Sequence, residues 1–263
     1  MNILVCLKQT PDTETKIKVK EGEKKIDEEG VNFVVNPYDE YAIEEALKIK
    51  EKYSGEVTII CLGPKRAEQS IRTGLAMGVD KAIHLTDPAF EGGDSLAVAK
   101  ALAKAIKDLE YDLILCGKQA VDDDCAQVGT ALAELLGLPQ VNVVTKLELS
   151  DDQKRATAHR EVEGATEVVE TTLPAVISCQ KGLNEPRYPS LPGIMKAKKK
   201  ELKPIDLATL GLEASEVGEA GSKTKIIEMF LPPERKAGRV IEGEVPEASK
   251  ELVKLLHEEA KVV

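Results

Sequence analysis

The sequence predicts an α/β fold built on a doubly wound, mostly parallel sheet, with an antiparallel extension and an extended C-terminal arm. Short apolar runs suited to buried strands alternate with segments whose apolar residues recur at helical spacing throughout the first half of the chain. In the second half the strand-like runs follow one another directly, and the chain then becomes rich in Pro, Lys and Glu. Alternating strands and helices favour right-handed crossovers, which place parallel strands side by side and helices on both faces.

Four strand–helix units account for the first half of the chain. The strands are predicted at residues 3–8, 57–62, 81–85 and 111–116. Asp39 is the predicted N-cap of the first helix, and Pro64 lies near the first turn of the second. Asp94 is the predicted N-cap of the third helix, and residues 122–124 are expected to begin the fourth. Alternation in the polar stretch 16–33 predicts a hairpin insertion before the first helix.

The second half of the chain has a different pattern. Four strand-like runs occupy residues 141–149, 156–162, 167–172 and 175–179. They predict an antiparallel extension of the same sheet. From Leu183 onward periodicity is weak until an amphipathic helix at residues 246–261, and we interpret this tail as an arm that lies on a partner. The sequence is therefore divided into an α/β domain, 1–182, and a partner-recognition loop with C-terminal arm, 183–263.

Composition argues against several functional classes. A net charge of −10 over 263 residues is unlike that of a general nucleic-acid binder, which needs a basic surface. The chain has no run of about 18 apolar residues and no secretory signal, so we expect a cytoplasmic protein without membrane insertion. The five cysteines form no CxxC pair, which is typical of buried thiols in a reducing compartment. The three histidines are too far apart in the sequence to suggest a metal site or a triad.

The most informative candidate site is the loop that follows the fourth predicted strand. It reads Cys116-Gly-Lys-Gln-Ala-Val-Asp-Asp-Asp124 and leads into a helix N-terminus. There, free N–H groups and the helix dipole favour an anion such as phosphate. The three carboxylates would repel a phosphate unless backbone amides face the ligand while the Asp side chains cap the helix or face solvent. On pattern alone, nucleotide binding, helix capping and a metal-binding Asp cluster all stay open.

Other motifs favour structural roles. Gly92-Gly-Asp-Ser95 resembles the phosphate loop of ATP pyrophosphatases, but it lacks the leading Ser and does not follow the first strand, so a helix cap is favoured. The dinucleotide fingerprint, the Walker A motif and HExxH are absent from the sequence. No nucleophile–base pair and no pair of acid–base carboxylates stands out. The sequence therefore predicts that the chain carries out no bond chemistry of its own.

The segment around Leu191 has the features of a partner-docking surface. Four nearby lysines are Lys196, Lys198, Lys199 and Lys200. In an acidic protein such a run of lysines is ordinarily a solvated surface. The alternative is that it attracts acidic partner proteins by electrostatic steering. Just before it, Tyr188–Met195 sets apolar side chains among prolines, which lower the entropy lost when Leu191 inserts into a pocket. Leu191 is thus predicted to be an anchor beside a basic rim.

Six long segments match one known family in the correct order. They are Val5–Asp12, Asn36–Ala46, Ile71–Gly78, Gly117–Cys125, Leu183–Tyr188 and, most specifically, Leu191–Lys200. A further signature covers Ala158–Gly164, Glu167–Val169 and Pro174–Ser178, and it departs at Ala165, where the family usually has Gly or an acid. On these residues the chain resembles the β subunit of electron-transfer flavoproteins over almost its whole length.

The resemblance implies a heterodimer whose α subunit holds most of an FAD, on a fold like that of adenine-nucleotide hydrolases. The family's β subunit binds AMP, or a second FAD in electron-bifurcating members. Carried over to this sequence, the nucleotide-binding residues would be Cys6, Asn36, Pro37, Tyr38, Asp39, Leu62, Gly117, Lys118, Gln119, Ala120, Val121, Asp122, Asp123, Asp124, Cys125, Ala126, Gln127 and Val128. Tyr38 and the segment after Lys8 would approach the partner's flavin. Leu191 would anchor the loop that recognises dehydrogenases, and Glu161 would help to hold that loop.

The implied function is a relay of electrons in fatty acid oxidation. An acyl-CoA dehydrogenase-type donor would pass electrons through the partner subunit's FAD to a quinone-linked oxidoreductase. Asp122–Cys125 and Leu96–Lys100 resemble AMP-binding members, whereas Ala126–Gly129 and Gly93–Ser95 lean towards bifurcating members. We therefore expect AMP, with a second FAD reduced by NADH as the alternative. A stand-alone adenine-nucleotide sensor resembling universal stress proteins is an alternative from another class, and the long C-terminal arm argues against it.

Overall fold

The computed structural model describes residues 1–20, 22–233 and 238–263. The strands are β1 (Asn2–Leu7), β2 (Gln9–Pro11), β3 (Phe33–Val35), β4 (Glu56–Leu62), β5 (Lys81–Leu85), β6 (Leu113–Gly117), β7 (Gln140–Leu149), β8 (Arg155–Val162), β9 (Ala165–Thr172), β10 (Val176–Cys179) and β11 (Leu202–Ile205). The α-helices are α1 (Pro37–Tyr53), α2 (Glu68–Met77), α3 (Ser95–Ile106), α4 (Val128–Leu136), α5 (Leu191–Ala197), α6 (Leu207–Leu210), α7 (Gly218–Gly221) and α8 (Val245–Leu255). Within the described residues, nine strands form one sheet in the order β11-β5-β4-β1-β6-β10-β7-β8-β9.

Helices cover both faces of the central part of this sheet. In β1, Ile3 and Val5 belong to the apolar layer shared with α1 and α2, whereas Leu4 and Cys6 belong to the layer shared with α3 and α4. This alternation follows from the two-residue period of a strand, and all four side chains are buried. Two apolar layers on one mostly parallel sheet make a doubly wound α/β fold, so the predicted fold class is confirmed.

The order of the strands places a topological switch between β1 and β6. β4 and β5 follow β1 towards one edge of the sheet, and the chain then crosses to β6 on the other side of β1. These pairs are parallel, and Cys6 of β1 lies opposite Cys116 of β6. In open parallel sheets, ligands bind in the crevice outside the carboxyl ends of the strands at such a switch. The loops that follow β1 and β6 are therefore where a ligand site is expected.

The four predicted strand–helix units are present. Asp94 caps α3 as predicted, accepting a hydrogen bond from Ala97 N at 2.9 Å. The predicted N-cap of α1 is wrong, because Asn36 occupies that position and Asp39 lies within the first turn. The Asp39 carboxylate instead accepts hydrogen bonds from backbone N–H groups outside its own helix.

The predicted start of α4 at residues 122–124 is also wrong. Asp124 and Ala126 have φ angles of 51° and 53°, in the left-handed region that cannot continue a right-handed helix. The helix therefore begins only at Val128. The acidic run belongs to a longer connection, which we call the β6–α4 loop (Lys118–Gln127).

The polar insertion and the extension of the sheet agree in part with the sequence pattern. Val19 and Ile26 form an antiparallel bridge within the predicted hairpin, and β2 pairs with β3 at its base; Glu21 lies outside the described residues. The strands β7, β8 and β9 are antiparallel, as predicted. The fourth run, β10, is a correction, because it lies between β6 and β7 and is parallel to both. Its residues are all buried, as expected of a strand covered on both faces.

Part of the chain beyond Leu183 packs on the main sheet, and the arm follows that part. β11 pairs in parallel with β5 and forms one edge of the main sheet. The predicted final helix is confirmed as α8, which a π-helical turn extends to Ala260, and none of its described residues is buried. Large apolar side chains are exposed along the arm at Ile226, Ile227, Phe230, Leu231, Val240, Val245 and Val253. Residues 234–237 of the predicted arm lie outside the described residues, and both its binding to a partner and the division at residue 182 stay predictions.

Candidate functional site

The centre of the candidate site is the carboxylate of Asp39 in the first turn of α1. Asp39 is buried and accepts hydrogen bonds from Lys8 N at 2.7 Å, from Gly117 N at 3.0 Å and from Asn36 Nδ2 at 3.0 Å. One side chain thus joins the ends of β1 and β6 to α1. A Cβ atom on Gly117 would overlap Asp39 Oδ1 and Tyr38 Cβ, which explains the glycine at this position. Burial raises the pKa of Asp39 to about 7, against the lowering effect of the three N–H donors.

Asn36 connects the same point to the middle of the β6–α4 loop. Its side chain is buried, donating from Nδ2 to Gln119 O at 2.9 Å and accepting at Oδ1 from Val121 N at 3.2 Å. An amide that bonds both a carbonyl and an N–H of one loop fixes the path of that backbone. Asn36 and Asp39 together therefore determine how the loop leaves β6.

Lys8 neutralises two of the three acids of the loop. Its Nζ lies 2.8 Å from Asp122 Oδ1 and 2.9 Å from Asp123 Oδ2. Burial acts to lower the pKa of Lys8, but the hydrogen bonds and charges of the two carboxylates outweigh it and raise that pKa. Asp124 accepts a hydrogen bond from Gln119 Nε2 at 2.5 Å. The acids thus bond to this chain's own donors, and they do not cap α4.

The N-terminus of α4 is held close to β6 without a side-chain cap. Gln127 occupies the N-cap position, and among the described residues no side chain accepts from the first turn there. A Cβ on Gly129 would overlap Cys116 Sγ, so the first turn of α4 lies directly against the end of β6. Uncapped N–H groups at a helix N-terminus suit an anion.

Other predicted residues surround this point in different ways. Lys118 Nζ lies over the Tyr38 ring, 5.1 Å from its centroid. Cys6 is a buried thiol at the end of β1, and burial raises its pKa to about 12, so it stays neutral. Leu62 ends β4, one strand away. The remaining predicted members lie on the β6–α4 loop or at a helix start: Pro37, Ala120, Cys125 and Val128. Within the described residues no group of three metal-ligating side chains occurs.

Sequence reasoning missed His84, which lies next to the end of β4. His84 is buried on β5, and its Nε2 lies 3.0 Å from Gly63 O. Burial lowers the pKa of its imidazole, which favours the neutral ring. The neutral ring then holds the turn at Gly63. An isolated His in an apolar strand gave no sequence signal for this role.

The predicted docking residues lie on a separate surface at α5. Ser190 caps this helix by accepting from Gly193 N at 3.1 Å. Leu191 is 80% exposed and Met195 is 73% exposed, so the apolar side chains point away from the body. Tyr188 just before them is exposed as well. The structure therefore presents the predicted anchor on an outer surface.

Three acidic side chains of α1 hold the segment that leads to α5. Arg187 makes a bidentate pair with the buried Glu44, at 2.8 Å from Nε and 2.9 Å from Nη2. Its Nη1 also donates to Glu51 Oε1 at 2.6 Å. Asn184 Nδ2 donates to Glu45 Oε2 at 2.9 Å. The Leu183–Tyr188 motif thus fixes the approach to α5, a role that sequence reasoning missed because buried acids on α1 leave no periodic signal.

The predicted basic rim divides into two kinds of lysine. Lys196, Lys198 and Lys199 are exposed, whereas Lys200 is partly buried and donates to backbone carbonyls. Glu161 lies on β8 and accepts from Gln180 Nε2 at 3.1 Å, ahead of the segment that leads to α5. Among the described residues Glu161 has no hydrogen bond to α5 itself.

The fold and the loop cluster define a doubly wound α/β protein with a candidate site at its topological switch. A model of the electron transfer flavoprotein domain matches residues 24–210. The chain is 47% identical over 264 residues to electron transfer flavoprotein subunit beta of Bacillus subtilis, with 100% of both chains covered. It is 43% identical to the protein of that name from Thermoanaerobacterium thermosaccharolyticum, with 98% of both covered. It is also 45% identical to that from Syntrophomonas wolfei, covering 100% of this chain and 98% of the relative.

The chain therefore belongs to the electron transfer flavoprotein subunit beta family. Among the described helices none combines the length and the apolar character needed to cross a bilayer.

Proposed function

We propose that this chain is the β subunit of a heterodimeric electron carrier that holds AMP, while its α subunit holds most of an FAD. Electrons pass from an acyl-CoA dehydrogenase-type donor to that FAD and on to a quinone-linked oxidoreductase. The FAD supplies the redox chemistry, and this chain binds the nucleotide, orients its partner and docks the donor.

The observation that carries the AMP proposal is the uncapped N-terminus of α4 at the topological switch. Backbone N–H groups at that end fit a phosphate, and Gly129 lets the helix start approach β6 closely. The acids that would repel a phosphate are engaged, because Lys8 binds Asp122 and Asp123. The hydrogen-bond donors of the site thus fit the phosphate group of a nucleoside monophosphate.

A second FAD in this site is the alternative, favoured by the sequence Ala126-Gln-Val-Gly129 at the start of α4. The other motif that resembles bifurcating members, Gly93–Ser95, has a structural role within this chain. Its Asp94 Oδ2 accepts from Lys223 N at 2.6 Å and Thr224 N at 3.0 Å, besides capping α3. Because that carboxylate is already engaged, we favour AMP.

The docking part of the proposal rests on the exposure of α5. An apolar side chain that is 80% exposed on a capped helix, as Leu191 is, suits insertion into a pocket of a partner. The exposed lysines Lys196, Lys198 and Lys199 would steer an acidic partner surface towards it. The docking helix and the proposed nucleotide site are both connected to α1. Asp39 of the site belongs to α1, and Arg187, which precedes α5, binds Glu44 of α1.

The experiment that tests the proposal is a count of nucleotides. The chain is co-expressed with an α subunit of the family, the complex is denatured, and released FAD and AMP are quantified. One FAD and one AMP per heterodimer are expected. Two FADs with rapid reduction by NADH would overturn the AMP assignment, and a stable monomer that binds ATP without flavin would contradict the carrier function.

A matched pair of variants locates the nucleotide. Asn36→Ala removes both bonds to the β6–α4 loop, so AMP content should fall while the FAD content stays at one. Asn32→Ala is the control, since Asn32 is exposed on the insertion. Equal AMP content in the two variants would place the nucleotide elsewhere.

A further inference from the structure

We propose that Arg72 and Lys200 are positioning residues that fix α5, and with it Leu191, for docking of the electron donor. The inference rests on the proposed function and assigns to it two residues outside the docking surface. Arg72 of α2 donates to backbone carbonyls at and just after the end of α5, and Lys200, which follows α5, donates to backbone carbonyls at and just after the end of α2. We call this pair the reciprocal clamp (Arg72 and Lys200).

Arg72 of α2 holds the end of α5. Its Nη1 donates to Ala197 O at 2.8 Å and to Lys200 O at 3.0 Å. Ala197 is the last residue of α5, and its carbonyl also accepts from Lys200 N at 3.3 Å, so Arg72 binds the turn that ends the helix. Glu68, one turn earlier on α2, lies 3.4 Å from Arg72 Nη2 and steadies the guanidinium.

Lys200 holds the end of α2 in return. Its Nζ donates to Leu75 O at 2.9 Å and to Val79 O at 2.5 Å. α2 ends at Met77, so an ammonium group lies where the helix dipole is negative and the last carbonyls need donors. Lys200 thus differs from Lys196, Lys198 and Lys199, which are exposed.

Close backbone packing completes the attachment of α5. A Cβ on Gly193 would overlap Ala76 O, so the helix lies directly on the end of α2. Ala197 is buried at 2% exposure, whereas Leu191 on the outer side is 80% exposed. The inner side of α5 is therefore fixed and its outer side is presented to solvent.

Such an attachment matters because α5 has only seven residues. An isolated helix of this length is not stable in water, so its conformation depends on tertiary contacts. Ordering a loop upon association costs binding free energy, and a pre-ordered helix avoids that cost. Loss of the clamp should therefore weaken docking without touching the docking surface.

The test measures reduction of the heterodimer by an acyl-CoA dehydrogenase with the heterodimer as the varied substrate. Arg72→Met and Lys200→Met should each raise KM about tenfold with little change in kcat, at unchanged FAD and AMP content. Lys200→Arg, which keeps donors at that position, should restore most of the KM. Lys104→Met is the control, since Lys104 is exposed on α3, on the other face of the sheet.

A double-mutant cycle separates positioning from general destabilisation. If the clamp acts through Leu191, Lys200→Met should add almost nothing to KM in a Leu191→Ala background. If Lys200→Met raises KM by the same factor in the wild-type and Leu191→Ala backgrounds, the proposal is overturned. Hydrogen exchange gives an independent readout, because the Ile194 amide, bonded to Ser190 O, should exchange faster in the clamp variants.

The outcomes distinguish this inference from the proposed function. A raised KM for Leu191→Ala with an unchanged KM for both clamp variants would reject the clamp and leave the docking function standing. An unchanged KM for Leu191→Ala would reject docking through α5, and with it the role assigned to the clamp.

Discussion

The Asp39 carboxylate accepts a hydrogen bond from Gly117 N at 3.0 Å, although the two residues are 78 positions apart in the chain. The same carboxylate accepts from Lys8 N at 2.7 Å, so one buried side chain joins the carboxyl ends of β1 and β6 to the start of α1. These are the two strands that flank the topological switch. The geometry of the proposed nucleotide site therefore depends on Asp39.

Replacing Asp39 should destabilise the protein. Asp39→Ala leaves the N–H groups of Lys8 and Gly117 without their acceptor, and we expect the free energy of unfolding to fall by about 2–3 kcal/mol. Urea denaturation of the heterodimer measures the change, with Asp151→Ala in an exposed turn as control. A loss no larger than that of the control would show that these hydrogen bonds contribute little.

The Asp39 carboxyl should also make stability depend on pH. Burial raises its pKa to about 7 from an ordinary value of 3.8. Between those values the folded protein binds a proton that the unfolded chain has released. The resulting stabilisation is complete below about pH 4 and is lost as the pH rises through about 7.

The non-titrating variant Asp39→Asn isolates this effect. The free energy of unfolding of the wild type relative to Asp39→Asn should fall between pH 5 and pH 7.5 in urea titrations. A difference that stays constant or rises across this range would show that the pKa of Asp39 is not raised.

Lys8 should control nucleotide affinity through the charge of the β6–α4 loop. Lys8→Met leaves Asp122 and Asp123 unpaired near the N-terminus of α4, and their repulsion should lower the affinity for AMP about tenfold or more. Calorimetric titration of AMP into the nucleotide-depleted heterodimer measures this. Adding Asp122→Asn to Lys8→Met should recover part of the affinity, and no recovery would contradict the electrostatic explanation.

Arg187 should be important for stability as well as for the path towards α5. Arg187→Ala leaves the buried Glu44 without its bidentate partner, which we expect to cost about 2–3 kcal/mol in the free energy of unfolding. Glu51→Ala removes only the exposed partner, where the expected cost is at most about 1 kcal/mol. Thermal or urea unfolding compares the two variants, and equal losses would contradict the importance of the buried pair.

Local patterns were enough to predict the four parallel strands of the first half and the helices that follow them, though not where every helix begins. Residues 81–85 form β5 as predicted, and Asp94 caps α3, because apolar runs and caps act over a few residues. The start of α4 could not be predicted, since Asp124 and Ala126 take left-handed angles in a loop that is held by non-helical contacts such as the bond from Gln119 to Asp124.

Long-range relationships were beyond the sequence pattern. The position of β10 between β6 and β7 depends on strand order, which a buried apolar run does not encode. Asp39 was predicted in the site from the family resemblance, but its bonds to Lys8 and Gly117 depend on the packing of three elements. The clamp between Arg72 and Lys200 joins residues 128 positions apart, and neither has a local pattern that points to it.

The most direct test of the proposed carrier function is the source of electrons that reduces the heterodimer. The purified complex is mixed anaerobically with NADH alone, or with an acyl-CoA dehydrogenase and its acyl-CoA, and flavin absorbance is followed. We expect rapid reduction with the dehydrogenase, slowed by Leu191→Ala, and no rapid reduction by NADH alone. Rapid reduction by NADH without the dehydrogenase would contradict the proposed dehydrogenase-to-FAD route and the AMP assignment, and it would favour the alternative with a second FAD.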